Sequence, residues 1–139
     1  MPVIQSGVRV VASRLPKVMP PAAHAIADYA IAASFLGMAA FFWRRDRRAA
    51  VACIGVGASQ VALSLFTDYP GGLAKRVSFH RHGRIDMLRA GVIAGLPGVM
   101  EMEDASRRFF ATSAIALTAI AGMTAFEKEY ARRWRRRAA

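Results

Sequence analysis

The sequence predicts an all-α fold: a transmembrane four-helix bundle made of two parallel two-helix repeats. Three observations predict it. Apolar runs of membrane-spanning length recur along the chain, cationic clusters separate them, and an offset of 58 residues carries His24 onto His82 and Asp28 onto Asp86.

At 139 residues the chain is one domain by length, yet 55% of it is apolar and its mean hydropathy is positive. Its charges are gathered between the apolar runs, as an integral membrane protein requires. The net charge of +11 raises nucleic acid as a partner, since arginine clusters neutralise phosphates well. The distribution argues against it, because the cations flank apolar runs where they reach lipid head groups, and no recognition helix or base-stacking motif is present. Cys53 is the single cysteine, so one chain can build neither a disulfide nor a cysteine metal cluster.

Residues 1–21 mix Val and Ile with Arg9, Arg14 and Lys17, which suits a basic segment lying on the membrane surface or, equally, a disordered basic tail. They hold no uninterrupted apolar core, so the first apolar run is expected to be retained as a span rather than cleaved. Pro20 and Pro21 fit a helix start, where a missing N–H costs nothing. The first span is then 22–43, ending on Trp43 as an interfacial anchor before the short loop Arg44-Arg45-Asp46-Arg47-Arg48. Such a short loop forces an antiparallel return. The second span is 49–66, whose length gives about 27 Å of helix, and it completes repeat 1 (22–66).

A connecting loop is expected over 67–81, with Pro70, Gly71 and Gly72 making a turn. Repeat 2 (82–127) follows, its third span beginning near Ile85 and ending near Met100. Asp86 and Arg89 lie early in that span, three residues apart and able to pair; a re-entrant hairpin is the alternative. The fourth span is 109–126. A cationic tail over 128–139, with Arg132, Arg133, Trp134, Arg135, Arg136 and Arg137, is expected to contact anionic lipid or an acidic partner.

Small residues at four-residue spacing (Ala33 and Gly37, Gly55 and Ser59, Gly91 and Gly95, Thr118 and Gly122) are expected to let helices approach closely. Gln60, Ser113 and Thr118 are expected to bond between helices. Lysine and arginine are more numerous on the side of the termini and the 67–81 loop, which places both termini in the cytoplasm by the positive-inside rule.

The repeat carries the candidate site. At the offset of 58 residues, Gly37 falls on Gly95 and Asp46 on Asp104; with one residue deleted, Thr67 meets Thr124 and Tyr69 meets Phe126. Repeats of two spans each enter the membrane in the same direction and are related by an axis along its normal. His24 and His82 should therefore lie at one depth. In each half the i,i+4 spacing stacks the histidine over its aspartate on one helix face, so His24, Asp28, His82 and Asp86 converge near the axis if those faces point inward. Asp68 should lie on the same side.

The pattern His24/Asp28/Tyr29, Thr67/Asp68/Tyr69/Gly72, His82/Asp86 and Pro97 resembles the SPW-repeat family of small bacterial membrane proteins over about residues 22 to 127. The family's Ser-Pro-Trp is Leu96-Pro97-Gly98 here, as in a divergent member. The resemblance implies four spans in two repeats in a bacterial inner membrane, and it carries over no enzymatic activity; a non-enzymatic protein is expected.

The quartet admits several readings: a divalent metal site, a proton relay, a bis-histidine haem, or local hydrogen bonds that fix helix ends. No catalytic motif is present and no cofactor is required. The expected function is that of a non-enzymatic accessory or scaffold subunit packed into a larger membrane assembly or self-associated. The alternative is a metal-binding or proton-coupled transport protein using the quartet.

Overall fold

The computed structural model describes residues 6, 7, 10 and 12–126, so the tail from Arg132 to Arg137, with Trp134, lies outside the described residues. Within them the chain is mainly helical, with four long helices: α1 (Pro21–Phe42), α2 (Arg47–Phe66), α3 (Phe79–Val99) and α4 (Asp104–Met123). Two-residue strands β1 (Thr67–Asp68) and β2 (Val77–Ser78) lie between α2 and α3.

Local chemistry sets each boundary. Pro21 opens α1 at a position that needs no N–H donor, and Asp46 caps α2 by accepting the Ala49 amide. Ser78 caps α3 by accepting the Arg81 amide, and Asp104 places negative charge in the first turn of α4. Helix α3 therefore starts at Phe79 rather than near Ile85, and the connecting loop ends at Ser78 rather than 81. Arg81 and Arg84 belong to its opening turns. It runs unbroken through Pro97, with no turn inside it of the kind a re-entrant hairpin needs.

The helices pair as two antiparallel hairpins, α1 with α2 and α3 with α4. A parallel ladder joins Thr67 to Val77, and a parallel bridge joins Met19 to Thr124. These are equivalent contacts: Met19 stands 58 residues before Val77, and Thr67 stands 57 before Thr124. The segment leading into each hairpin thus ties to the end of a hairpin's second helix. Helix starts also keep the register, with Pro21 matching Phe79 and Arg47 matching Asp104 after the one-residue deletion. That deletion falls before the first helix of each hairpin ends, so the capping partner of Asp46 is Glu103 rather than Asp104.

At the end remote from His24, Asp46 also links the hairpins: its Oδ2 accepts the Glu103 amide at 2.9 Å. The apolar core between the ends is built on Phe35, Phe42, Cys53, Ile93, Phe110 and Leu117. Helices α1 and α2 are long and apolar enough to cross a membrane. Large apolar side chains stand outward on them, including Ile26, Phe41, Val51 and Ile54.

The small-residue expectations are corrected in part. Gly91 and Gly122 are buried, but Gly37, Gly55 and Ser59 face outward, and a Cβ at Gly37 or Gly55 would meet nothing within 4 Å. Close approach of α1 and α2 occurs instead at Gly57, where a Cβ would lie 2.8 Å from Leu36 and 3.2 Å from the Ala32 carbonyl. Thr118 bonds within its own helix, to the Ala114 carbonyl. Arg89 donates to the Val56 carbonyl of α2 rather than pairing with Asp86.

Two tests follow from these contacts. Gly57→Ala should cost about 1–3 kcal/mol through overpacking, whereas Gly55→Ala should be neutral or stabilise by up to about 1 kcal/mol through helix propensity, both read by unfolding in detergent. Burial works to raise the Asp46 carboxyl, but the amides of Ala49 and Glu103 with the Ser106 hydroxyl outweigh it and hold the group below the ordinary carboxylate range. Its contribution is therefore complete above the unfolded value of about 3.9 and lost as pH falls through the lower folded value. Asp46→Asn should show a smaller fall in thermal midpoint over that acid range than the unmodified chain.

Candidate functional site

The two first helices of the hairpins, α1 and α3, bring their i,i+4 pairs together. His24, Asp28, His82 and Asp86 are all fully buried, and one ligand-capable atom from each lies within 4.8 Å of the others. The convergence expected from the repeat is therefore present. Asp68 is not part of it; its backbone lies in the ladder opposite Ser78.

The contacts cross between the halves as well as running within them. His24 Nε2 is 3.1 Å from Asp86 Oδ2 and 3.5 Å from Asp28 Oδ2. His82 Nε2 is 3.0 Å from both Asp28 Oδ2 and Asp86 Oδ2. Each aspartate offers one oxygen to the centre. The other oxygens, Oδ1 of Asp28 and Asp86, are buried without a hydrogen-bond partner.

Two threonines orient the rings. Thr67 Oγ1 donates to the Leu63 carbonyl at 2.6 Å, and Thr124 Oγ1 donates to the Ile120 carbonyl at 2.7 Å, each satisfying an acceptor at a helix end. With its proton so placed, each hydroxyl oxygen is an acceptor. Thr67 takes the Nδ1–H of His82 at 2.7 Å, and Thr124 takes the Nδ1–H of His24 at 2.8 Å. The threonine of each repeat thus serves the histidine of the other, and Nε2 of both rings is left to face the carboxylates.

Aromatic rings enclose the quartet. Tyr69 stands 5.3 Å from His82 and Phe126 stands 5.2 Å from His24, ring centre to ring centre, so these two repeat-related residues play matching parts. Phe79 completes the wall, 5.4 Å from His24. Gly83 makes room for Phe126, because a Cβ there would lie 2.7 Å from its ring. The Tyr69 hydroxyl also donates to Asp28 Oδ2 at 2.9 Å. Burial, with the charge of Asp28 beside it, pushes the Tyr69 phenol above its ordinary value and keeps it protonated as that donor.

A cavity of about 580 Å³ lies on the outer side of Thr124, Gly83 and Phe126, with Lys17 and Arg84 on its walls. None of the quartet residues lines it. The third histidine, His80, lies there and not in the quartet.

Sequence reasoning found the four ionisable residues and missed the roles of Thr67, Thr124 and Tyr69. The signal for the two threonines was their recurrence at the 57-residue offset, which marked them as equivalent without saying what they touch. Fold and site together define an all-α protein of two repeated hairpins closed around a buried His/Asp centre. Comparison with protein-family models, curated proteins and solved structures finds no match.

Tyr69→Phe removes the donor to a buried carboxylate and should cost about 1–3 kcal/mol. Tyr29→Phe is the control, since its hydroxyl bonds, among the described residues, to the exposed Gly71 carbonyl, and it should cost less. Denaturant unfolding of both variants in one detergent gives the comparison.

Proposed function

We propose that the chain is a small multi-pass membrane protein whose buried quartet of His24, Asp28, His82 and Asp86 binds one divalent metal ion. The observation that carries the reading is the meeting of four ligand atoms within 4.8 Å at sites with no solvent exposure. Imidazole and carboxylate are ordinary ligands for Zn²⁺ and Fe²⁺. Each ring is held through Nδ1 and Asp28 is held by the Tyr69 hydroxyl, as partners of metal ligands do.

Four crossings are part of the proposal. Apolar side chains on the outer faces of α1 and α2 support it, as do Val92 on α3 and Ile115 on α4, which are exposed. Helix α3 is less apolar by composition, but its Asp86 is fully buried and its Arg89 reaches the Val56 carbonyl, so these charges face protein rather than lipid. The resemblance to the SPW-repeat family, the bacterial inner membrane, and both termini on the cytoplasmic side with its anionic lipids belong to the same proposal. A non-enzymatic role belongs to the same proposal.

A second reading, the accessory or scaffold subunit, is favoured by one observation. Gly37, Gly55 and Ser59 face outward, with space around both glycines and the Ser59 hydroxyl bonded back to its own helix at Val56, so that a helix of another copy or of a partner could approach closely.

Protein purified in mild detergent should contain about one equivalent of divalent metal per chain by elemental analysis, and His24→Ala and His82→Ala should each lose it. A metal-free preparation that also takes up none on reconstitution would sink the metal reading. Partners that co-purify, identified by mass spectrometry, would favour the accessory role.

A further inference from the structure

We propose that the quartet is a closed, four-coordinate site for a single cation of the zinc class, acting as a structural clasp between the two helix hairpins. The inference rests on the metal-binding reading above and adds the ion's coordination number, class and role.

Ligand spacing sets the size of the ion. Around the centre run His24 Nε2, Asp86 Oδ2, His82 Nε2 and Asp28 Oδ2, alternating nitrogen and oxygen, with successive separations of 3.1, 3.0, 3.0 and 3.5 Å. Four tetrahedral ligands at bond lengths of about 2.0–2.1 Å stand about 3.3–3.4 Å from one another. The four neighbouring spacings bracket that figure, and all four atoms lie within 4.8 Å of one another, so a bound ion has only to draw the pairs across the centre inward. Ca²⁺ and Mg²⁺ call for six or more ligands, largely oxygen and often water, and two imidazoles in a sealed core do not supply them. A haem between the histidines fails on space, because the oxygens that approach both Nε2 atoms lie where its ring would have to pass.

Direction points the same way. His82 Nε2 is 3.0 Å from each carboxylate oxygen yet forms a directed hydrogen bond with neither. A nitrogen aimed between two oxygens is placed to share a cation with them. The closest contacts of both aspartates with the two rings run through Oδ2 alone, so each carboxylate is assigned one ligand atom and the coordination number is four.

Charge and closure fix the role. One divalent cation balances Asp28 and Asp86, which removes the penalty of two buried carboxylates facing each other. All four coordination positions are filled by side chains, and Tyr69, Phe79 and Phe126 wall them in. No position remains for water or substrate, the mark of a structural rather than catalytic site. The ligands come equally from α1 and α3, so the ion bonds one hairpin to the other. Thr67 and Thr124 are positioning residues: by accepting Nδ1–H they present Nε2 to the ion.

The test uses the full chain in detergent, stripped of metal and titrated with Co²⁺. One equivalent should bind with the intense visible absorption of tetrahedral Co²⁺, be displaced by one equivalent of Zn²⁺, and raise the thermal midpoint. Thr67→Val and Thr124→Val should each weaken Zn²⁺ binding about 10–100-fold with helix content retained. The Co²⁺ spectrum of the unmodified chain decides the matter even if a variant misfolds. A pale octahedral spectrum, or binding that leaves the thermal midpoint unchanged, overturns the clasp and leaves metal binding standing. Failure of Co²⁺, Zn²⁺ and Fe²⁺ to bind at all overturns both, and the quartet is then two imidazolium–carboxylate pairs.

Discussion

The structure depends on one constraint: two carboxylates and two imidazoles are buried together where the hairpins meet, and each must be satisfied there. A buried ionisable group without partners would cost more than most packing defects. The surroundings answer much of this, leaving Oδ1 of both aspartates and Nε2 of His82 without a hydrogen bond. Thr67 and Thr124 take the outer nitrogens, Tyr69 donates to Asp28, and the Nε2 atoms meet the inner oxygens. The ladder at Thr67 and the bridge at Thr124 then fix the backbone that carries the two threonines.

The same constraint makes α3 intelligible. Judged by composition it is too polar to be grouped with α1 and α2. Its polar residues occupy particular places, however. Arg81 and Arg84 lie in its opening turns, Asp86 joins the quartet, and Arg89 is spent on a carbonyl of α2. A helix can carry such residues against apolar surroundings when each has a protein partner.

Much of this was legible in the sequence because the informative residues are rare and periodic. A histidine four residues before an aspartate, twice, at one offset, gave both the repeat and the four members of the site. Helix existence followed from the apolar runs. What stayed hidden depends on contacts between distant positions: His24 meets Thr124 across 100 residues, and no local pattern states that pairing. Glycine stripes misled for another reason, since spacing does not reveal which face a glycine occupies. Gly37 and Gly55 face outward, whereas Gly57, with no partner at that spacing singled out, makes the close approach. The cations Arg81 and Arg84 hide the start of α3, because in the sequence they continue the polar stretch before the apolar run, although Ser78 carries a capping signal ahead of them.

The crossed contacts also explain why the repeat must come as a pair. One hairpin supplies a histidine, an aspartate and a threonine, but its threonine reaches the other hairpin's histidine. The closest oxygen to His24 belongs to Asp86 rather than to its own Asp28. A single hairpin would therefore bury an imidazole with its Nδ1–H unmatched and a carboxylate with half its partners missing, an arrangement that opposes folding. Joining two copies about one axis satisfies both sets of groups with the same few residues. The centre is thus a property of the pair, and the polar groups that make each half unstable alone hold the two together.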